Sequence, residues 1–355
     1  MGQLQKVSWR TVGYAALGTV VAAASVVAII NSDGVRPTSL TSSAATRWLV
    51  DQLNNQVVLV DGLAGHVVAK VTLDTATGSN DDVAVQGPGG AFLVAPSQGS
   101  VRTISTAKLQ LGTAQTVGLL SEAGAKFRVG TSGLTILSPH TKEATVVAVD
   151  DVTQPMAVPE SDSAYLAADG SMWLLSKSQA THVNVDDSRT TVLLRSSSNG
   201  KTTTIGSRAV TFDAANQVMH WLGGSNVAVT SLPNPSEAVI QEPGDDAPCV
   251  WIGSGDMLLC VGKTGIDHTL TIRGMGIGST DRLAIAGPAA VVVRNSNRID
   301  RIDLEGEKMA NDQAPTTPSS TPSITASGNL IWLDEPSGTH AWGGPPVRDQ
   351  HDHER

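Results

Sequence analysis

The segment QVVLVDGLAGHVVAKV at residues 56–71 shows the pattern that decides the fold. A run of apolar and β-branched residues leads into a polar turn with Asp and Gly. A second run follows in which apolar and polar residues alternate, which is typical of a β-hairpin. The same pattern returns every 34 to 47 residues, at 90–105, 133–149, 170–185, 208–222, 255–272, 289–304 and 328–343. A strand-rich unit repeated at about 40 residues is typical of a β-propeller blade.

The repeats predict an all-β fold, a β-propeller over residues 47–343. Further short strands, such as VAVQ at 83–86 and LAIAG at 283–287, bring each repeat to the four strands of a blade. The first hairpin (47–61) and the last (328–342) are expected to complete one shared blade, which gives seven blades. Six or eight blades are the alternatives, because the unequal spacing can hide a degenerate repeat.

Length and composition indicate a large globular domain and argue against one class of partner. The chain has 355 residues, of which 40% are hydrophobic, 3% aromatic and 16% charged. Its 33 acidic and 24 basic residues give a formal net charge of −9. Because a nucleic-acid-binding protein presents a basic face, this balance argues against nucleic acid as a partner.

Residues 11–30, TVGYAALGTVVAAASVVAII, contain neither a charged residue nor a proline. As a helix they would span about 30 Å, the thickness of the hydrocarbon core of a bilayer. Lys6 and Arg10 precede the segment and Asp33 follows it, so the positive-inside rule places the N-terminus in the cytoplasm and the later residues outside. A cleaved signal peptide is the alternative, since Ala22–Ala24 resemble a cleavage site.

These features predict a single-pass protein of the cell membrane with an extracellular propeller. The predicted segments are a cytoplasmic tail at 1–10, a transmembrane signal anchor at 11–30, a flexible stalk at 31–46, the propeller at 47–343 and a polar tail at 344–355. Two polar insertions, Ser231–Pro248 and Gly306–Ser327, are expected to be loops, and the second is expected to be mobile. A binding role is the alternative for them, because function often lies in such excursions.

The two cysteines, Cys249 and Cys260, flank the sequence VWIGSGDMLL. If Gly253–Asp256 form a four-residue hairpin loop, the cysteines lie directly opposite each other in the closest, non-hydrogen-bonded type of strand pair. In an exported domain such a pair is expected to form a structural disulfide, and two buried free thiols are the alternative.

Five histidines occupy equivalent places in the repeats, yet we predict no metal site, no catalytic set and no cofactor. They follow the turns of their hairpins, at His66, His182, His220, His268 and His340. Equivalent positions in successive blades are spread around a ring, so these side chains are not expected to converge on one ion.

Three short motifs reproduce, in order, those of penicillin-recognising serine enzymes. Ser105–Lys108 matches S-x-x-K, Ser197–Asn199 matches S-x-N and Lys263–Gly265 matches K-T-G. In that chemistry the serine begins a buried helix, whereas Ser105 ends a predicted strand. A chance match is therefore the preferred interpretation.

Two kinds of loop sequence are interpreted as structural. Gly274–Gly278 (GMGIG) lacks the lysine and the following helix of a phosphate-binding loop, so a tight bend between blades is expected. The Asp-rich pieces at 149–151 and 244–246 do not match a calcium-binding loop and are expected to be solvated.

The tryptophans divide into two groups by their neighbours. Trp173, Trp251 and Trp332 lie inside strand runs and are expected to pack between blades. Trp48, Trp221 and Trp342 lie in or beside alternating strands, so some of them are expected to be exposed. Exposed aromatic rings on a propeller face would favour sugar rings or the apolar anchors of a partner.

The repeat core in VVLVDGLAGHVV resembles that of bacterial extracellular propellers with quinoprotein-like or YVTN-like repeats. The layout of residues 1 to about 343 resembles the N-terminal region of membrane-anchored actinobacterial surface proteins. In longer relatives fibronectin type III or other Ig-like modules follow the propeller. This chain instead ends with GGPPVRDQHDHER after Trp342, so the functions of those modules are not carried over.

These observations favour a non-enzymatic, membrane-anchored binding or scaffold module. Its expected partner is an envelope polymer or an exported protein, bound on one face of the ring. The alternative is a secreted hydrolase or lyase that acts on glycans with carboxylates at the propeller channel. Sensing is a third possibility, but the ten-residue tail leaves no room for a signalling domain.

Overall fold

The structure, a computed structural model, describes residues 46–62, 65–73, 81–149, 152–194, 200–294, 298–305, 308–313, 323–327, 330–334 and 341–344. In these ranges the chain forms β-strands, turns and three short 3₁₀ helices, at Pro96–Gln98, Gly118–Ser121 and Pro235–Glu237. None of the described helices has the length and apolar character needed to cross a bilayer. The predicted anchor at 11–30 lies outside the described residues.

The described strands form eight antiparallel sheets that follow one another along the chain. Sheet 1 contains β1 (Thr46–Asp51), β2 (Gln56–Asp61) and β3 (His66–Thr72). Sheet 2 contains β4 (Val83–Gly87), β5 (Gly90–Ala95), β6 (Ser100–Ser105), β7 (Gln110–Leu111) and β8 (Gln115–Thr116). Sheet 3 contains β9 (Lys126–Gly130), β10 (Gly133–Ser138), β11 (Glu143–Val147) and β12 (Met156–Ala157). Sheet 4 contains β13 (Ser163–Leu166), β14 (Met172–Leu175), β15 (Gln179–Val183) and β16 (Arg189–Leu193).

The remaining sheets continue the same order. Sheet 5 contains β17 (Lys201–Ile205), β18 (Arg208–Asp213), β19 (Val218–Trp221) and β20 (Asn226–Ala228). Sheet 6 contains β21 (Val239–Ile240), β22 (Cys249–Ser254), β23 (Met257–Gly262) and β24 (Ile266–Thr271). Sheet 7 contains β25 (Arg282–Ala286), β26 (Ala289–Val293), β27 (Arg298–Asp303) and β28 (Lys308–Gln313). Sheet 8 contains β29 (Ser323–Ser327), β30 (Leu330–Asp334) and β31 (Ala341–Gly344). The all-β propeller predicted from the repeats is confirmed.

The core of the described structure consists of seven apolar layers, each between two consecutive sheets. Strand β22 shows why the buried strands appear in the sequence as continuous apolar runs. All six of its residues are buried, and Val250 and Ile252 pack in the layer with sheet 5. Cys249 and Trp251 pack in the layer with sheet 7. Because successive side chains point to opposite faces, a strand between two sheets needs apolar residues at both.

The aspartate that ends several repeat strands stabilises the turn that follows. The Asp51 carboxylate accepts a hydrogen bond from the backbone N–H of Asn54 at 3.2 Å. The Asp213 carboxylate accepts from the N–H groups of Ala215 and Asn216 at 3.0 and 3.1 Å. An aspartate at the end of a strand accepts hydrogen bonds from turn N–H groups that have no partner in the neighbouring strand. This explains why aspartate recurs after the apolar run.

Three tryptophans join consecutive sheets through their indole N–H groups. Trp173 donates to the carbonyl of Ser207 at 2.9 Å and Trp221 donates to that of Gly262 at 3.0 Å. Trp48 donates to the hydroxyl of Thr106 at 3.3 Å. Each ring therefore fills an apolar layer and also satisfies its polar atom on the neighbouring sheet.

The ends of the propeller meet without sharing a sheet. The Arg47 guanidinium donates to Thr325 Oγ1 at 3.1 Å, and a Cβ atom at Gly62 would lie 2.8 Å from side-chain atoms of Leu330 and Trp332. In the described pairing the two end sheets have three strands each. Taken together, these two end sheets form the closing blade, so the propeller has seven blades, as the repeats predict. The segment predicted as the loop 306–327 supplies β28 and β29, so the last hairpin has an inner strand of its own.

The predicted disulfide is confirmed, but its predicted register is wrong. Cys249 and Cys260 are bonded, with their Cα atoms 5.5 Å apart. Trp251, not Cys249, lies opposite Cys260, so the bridge runs diagonally between the strands. The reason is the turn, which contains only two residues between Ser254 and Met257. Gly255 takes a φ of 57° there, a conformation that glycine adopts without strain.

Removing this bridge is expected to lower the free energy of unfolding by about 2–3 kcal/mol, because it closes a short loop in the unfolded chain. The measurement is urea denaturation of the oxidised protein and of the Cys249→Ala/Cys260→Ala double variant. The native oxidised protein should also leave no thiol for a maleimide probe. Equal unfolding midpoints for the two proteins would contradict the prediction.

Candidate functional site

A cavity of about 550 Å³ lies where the first strands of several sheets meet. It is lined by residues of β1, β4, β9, β13 and β29, and by the segment that follows β21. The first strand of each blade faces the central channel of a propeller. The volume falls in the range of sites for small molecules, which is about 300–1,000 Å³.

Lys126 is the most accessible cation of this channel. It begins β9, and its ammonium group donates to the carbonyl of Ala164 at 2.6 Å and lies 5.5 Å from the ring centroid of Tyr165. In the described part of the chain it forms no ion pair. Partial burial lowers the pKa of Lys126 below its ordinary value of 10.5, because the channel solvates the ammonium less well than water does.

Arg128 projects from the same strand two residues later. Side chains at i and i+2 share one side of a strand, so both cations line the cavity. The guanidinium of Arg128 donates to the carbonyls of Leu166 and Gly244, at 3.3 and 3.5 Å. Burial lowers the pKa of Arg128, while the charges of Asp245 and Asp169 act in the opposite direction. With carbonyl oxygens as its contacts, Arg128 forms no ion pair with a described carboxylate.

The other charges of the cavity do not balance these cations. Arg47 of β1 also lines it and is 7% exposed. Glu242 and Asp245 are the lining carboxylates, but Glu242 accepts from Arg282 Nε at 2.6 Å. Among the described residues, Lys126 and Arg128 therefore face the cavity without an ion pair, while Glu242 is already paired with Arg282. The described cavity therefore suits an anionic group better than a cationic one.

The carboxylates do not form the arrangement that glycoside hydrolysis uses. That chemistry needs two carboxyl groups that flank the scissile bond. Glu242 and Asp245 come from one short segment, and Glu242 is already paired with Arg282. The segment 231–248 is not a loop throughout, because it contains strand β21 and the 3₁₀ helix Pro235–Glu237. It lines the channel through Glu242 and Asp245, so the alternative of a binding role for it has geometric support.

Backbone N–H groups of the GMGIG segment bind a carboxylate of the protein itself, that of Asp256. Asp256 Oδ2 accepts from the N–H of Gly274 at 3.1 Å, and Oδ1 accepts from that of Gly276 at 2.9 Å. Both glycines have positive φ, 81° and 54°, which turns successive N–H groups towards one point. The predicted bend is thus held by a carboxylate from the β22–β23 turn.

These hydrogen bonds predict that the difference in stability between the native protein and the Asp256→Asn variant depends on pH. Hydrogen bonds from Gly276 and then Gly274 lower the pKa of Asp256 below 3.8. A lowered folded-state pKa adds stability above the unfolded-state pKa, and the gain is lost as the pH falls through the folded-state pKa. The native protein should therefore exceed the variant in melting temperature at pH 7, and the difference should shrink below about pH 4. An equal difference at pH 7 and pH 3 would contradict this.

The histidines predicted to be spread around the ring lie on different sheets. His66 is on β3, His182 on β15, His220 on β19 and His268 on β24, and His340 lies outside the described residues. One close group of potential metal ligands, Cys249, Cys260 and Asp267, is present among the described residues. Its two sulfur atoms form the disulfide, so they are not available as thiolate ligands.

In sheet 4 the hydroxyl group of Ser171 lies between the imidazole of His182 and the carboxylate of Asp169. Ser171 Oγ donates to Asp169 Oδ1 at 2.6 Å, and His182 Nε2 lies 2.8 Å from the same oxygen. Since the serine proton is given to Asp169, His182 donates from Nε2, and its ring stacks on Trp173 at 4.5 Å. Ser171 is 2% exposed. The imidazole therefore supports the turn and is not positioned to deprotonate an accessible nucleophile.

The serine-enzyme motifs are not assembled by the fold. Ser105 ends β6, and its hydroxyl accepts from the N–H of Lys108 in the following turn. Lys263–Gly265 lie between β23 and β24 of another sheet, and Ser197–Asn199 lie outside the described residues. The interpretation as a chance match agrees with the positions of Ser105 and Lys263.

The prediction of exposed tryptophans is wrong for the described side chains. Trp48 and Trp221 are 0% and 3% exposed, and Trp173, Trp251 and Trp332 are buried as predicted. Trp48 and Val50 pack in the layer between sheets 1 and 2, and Met219 and Trp221 pack in the layer between sheets 5 and 6, so the apolar half of each alternation faces a neighbouring sheet. The side chain of Trp342 lies outside the described residues.

Comparison with known proteins shows the fold and no family. No protein-family model and no curated protein matches the chain. A catalytically inactive variant of virginiamycin B lyase from Staphylococcus aureus, in a crystal structure with quinupristin, is similar at 14% identity and TM-score 0.53, over 76% of this chain and 97% of that one. Hsv2 from Kluyveromyces lactis is similar at 9% identity and TM-score 0.51, over 75% of this chain and 98% of that one. The dihydro-heme d1 dehydrogenase NirN is similar at 10% and 0.53, over 88% and 75%.

Sequence reasoning did not identify the cationic channel. The alternation of Lys126 and Arg128 in KFRVG is visible in the sequence, and it places both side chains on one side of a strand. In the sequence alone, this alternation resembles the solvent-exposed face of an ordinary edge strand. Only the position of β9 as the first strand of its sheet turns that face into the wall of a channel.

Proposed function

We propose that this protein is a binding module whose propeller takes an anionic part of an envelope polymer or of an exported protein into the central cavity, without catalysing a reaction. The observation that carries the proposal is the pair Lys126 and Arg128, which faces the cavity with carbonyl contacts and no described ion pair. Charged groups with reduced hydration are stabilised by a counter-charge, and a bound anion supplies one.

The proposal includes the topology expected from the sequence. Residues 11–30 would anchor the protein in the cell membrane with a cytoplasmic N-terminus, and the stalk would hold the propeller outside the cell, as in the actinobacterial surface proteins that the layout resembles. An extracellular propeller with a basic channel would meet the acidic polymers of the envelope directly. The disulfide Cys249–Cys260 supports export, because such bridges persist in oxidising compartments.

The glycan hydrolase or lyase has weaker support than the binding module. Virginiamycin B lyase is an enzyme, but a similarity at 14% identity extends only to the fold. An acid–base pair would need two carboxyl groups with different environments, and Glu242 is committed to Arg282.

The test is co-sedimentation of the full-length protein, in a mild detergent, with purified cell wall over a range of salt concentrations. Saturable binding that weakens as salt rises is expected, because salt screens the attraction between the acidic polymer and the partly exposed cations of the cavity. Failure to bind at any salt concentration would overturn the polymer partner. A parallel incubation should leave the glycan chain length unchanged, and release of shorter chains would overturn the non-enzymatic assignment.

A further inference from the structure

We infer, building on the proposed function, that the cavity binds an oxyanion carried by a sugar, with Lys126 and Arg128 as the groups that contact it. The oxyanion is a uronate carboxylate or a sugar phosphate, which share the same recognition chemistry. Among the described residues, both cations belong to β9 and face one cavity.

The hydrogen-bonding capacity of the two cations is only partly used. An ammonium group carries three N–H donors and a guanidinium five. Lys126 uses one on the carbonyl of Ala164, and Arg128 uses two on the carbonyls of Leu166 and Gly244 at the long distances of 3.3 and 3.5 Å. The remaining donors allow an oxyanion to bridge the two side chains, and charge-assisted hydrogen bonds of this kind are the stronger ones.

The size and the walls of the cavity favour a sugar over a folded partner. A volume of about 550 Å³ admits a small molecule or a chain end. Tyr165 contributes aromatic surface to the same lining, with its ring centroid 5.5 Å from the Lys126 ammonium, which offers apolar area to the face of a sugar ring beside the charged groups. Asp245 also lines the cavity. Its negative charge already acts on Arg128, so its presence does not imply that the ligand is a cationic sugar.

The experiment measures binding to the full-length protein in detergent by isothermal titration calorimetry. The probes are tri-galacturonate, glucose 6-phosphate, neutral maltotriose and tetra-glutamate. Binding of tri-galacturonate or glucose 6-phosphate, without binding of maltotriose, supports the inference and tells the carboxylate source from the phosphate source. Equal binding of maltotriose, or binding of tetra-glutamate alone, overturns it.

The matched variants are Lys126→Gln and Lys177→Gln. Lys177 is exposed in the turn between β14 and β15, on another sheet from Lys126. Lys126→Gln should weaken binding of the acidic probe by about 10- to 100-fold and make its salt dependence shallower, whereas Lys177→Gln should change neither. Unchanged melting temperatures would show that both variants fold. Unchanged affinity in Lys126→Gln would overturn the assignment of this side chain.

The same variants separate this inference from the proposed function. If the native protein binds cell wall and Lys126→Gln binds it equally well, the oxyanion site is overturned and the binding module stands. If the native protein binds tri-galacturonate but no cell wall, the polymer partner is overturned and the oxyanion site stands.

Discussion

Replacing Asp300 with alanine is expected to lower the free energy of unfolding by about 3–5 kcal/mol, because the change leaves the buried Arg294 guanidinium without one of its two carboxylate partners. The Asp300 side chain is 0% exposed. Its Oδ2 accepts from Arg294 Nε at 2.7 Å, and its Oδ1 accepts from Arg298 Nε at 2.8 Å. One buried carboxylate thus contacts two guanidinium groups of sheet 7, of which Arg294 is buried and Arg298 is 45% exposed.

The effect should be large because Arg294 has little access to water. Its side chain is 12% exposed, and it also contacts the 8% exposed carboxylate of Asp281 at 2.5 Å. The same guanidinium donates to the carbonyls of Met275 and Gly276. The cation therefore joins the bend at 274–278 to strands β26 and β27, and losing Asp300 disturbs all of these contacts together.

Asp187→Asn provides a control with the same chemistry in a different environment. Asp187 accepts from Arg189 at 2.6 Å, but the two side chains are 49% and 38% exposed. Asparagine also tolerates the φ of 64° at this position. The control should change the free energy of unfolding by less than about 1 kcal/mol.

Urea denaturation at constant pH measures all of these variants, and Asp300→Asn separates charge from shape. Asparagine keeps the size of the side chain but removes the negative charge, so most of the loss seen with alanine should remain. A loss in Asp300→Ala no larger than that in Asp187→Asn would contradict the prediction. So would full recovery of stability in Asp300→Asn.

The hairpins could be predicted from sequence because each carries its own local pattern. Segments such as 208–222 contain an apolar run, a turn-forming aspartate and an alternating strand, and the structure pairs them as β18 and β19. Pattern and turn chemistry agree there, so strand positions follow from a single hairpin.

The register of the cysteines and the first strand of the last sheet could not be predicted in the same way. The register depends on whether the turn uses two or four residues, and GSGD at 253–256 permits either. The strand β29 lies in a Ser-, Thr- and Pro-rich region that resembles a loop, so tertiary pairing overrides its composition.

The candidate site depends on contacts between residues far apart in sequence. Arg47 and Thr325 are 278 residues apart and meet across the closure, while Arg128 reaches Gly244 from a distance of 116 residues. No local motif encodes such a meeting. The charges themselves are visible in the sequence, but which of them share a channel follows only from the order of the sheets around the ring.

Replacing Trp221 with alanine is expected to cost about 3–5 kcal/mol of stability, the range for the truncation of a large buried aromatic side chain. Trp221 is 3% exposed and fills the apolar layer between sheets 5 and 6. Its indole N–H satisfies the carbonyl of Gly262 at 3.0 Å, and the Arg208 guanidinium lies 5.2 Å from its ring centroid. The truncation therefore opens a cavity and removes a hydrogen bond between sheets.

Trp221→Phe tests how this loss divides between packing and hydrogen bonding. Phenylalanine retains much of the apolar ring but leaves the Gly262 carbonyl without its donor, so a loss of about 1–3 kcal/mol is expected. Leu53→Ala is the control, because Leu53 is 80% exposed and its truncation should stay within about 0.5 kcal/mol. Urea denaturation checks all three variants. If Trp221→Phe were as stable as the native protein, the hydrogen bond to Gly262 would not contribute, and packing alone would join sheets 5 and 6 at this position.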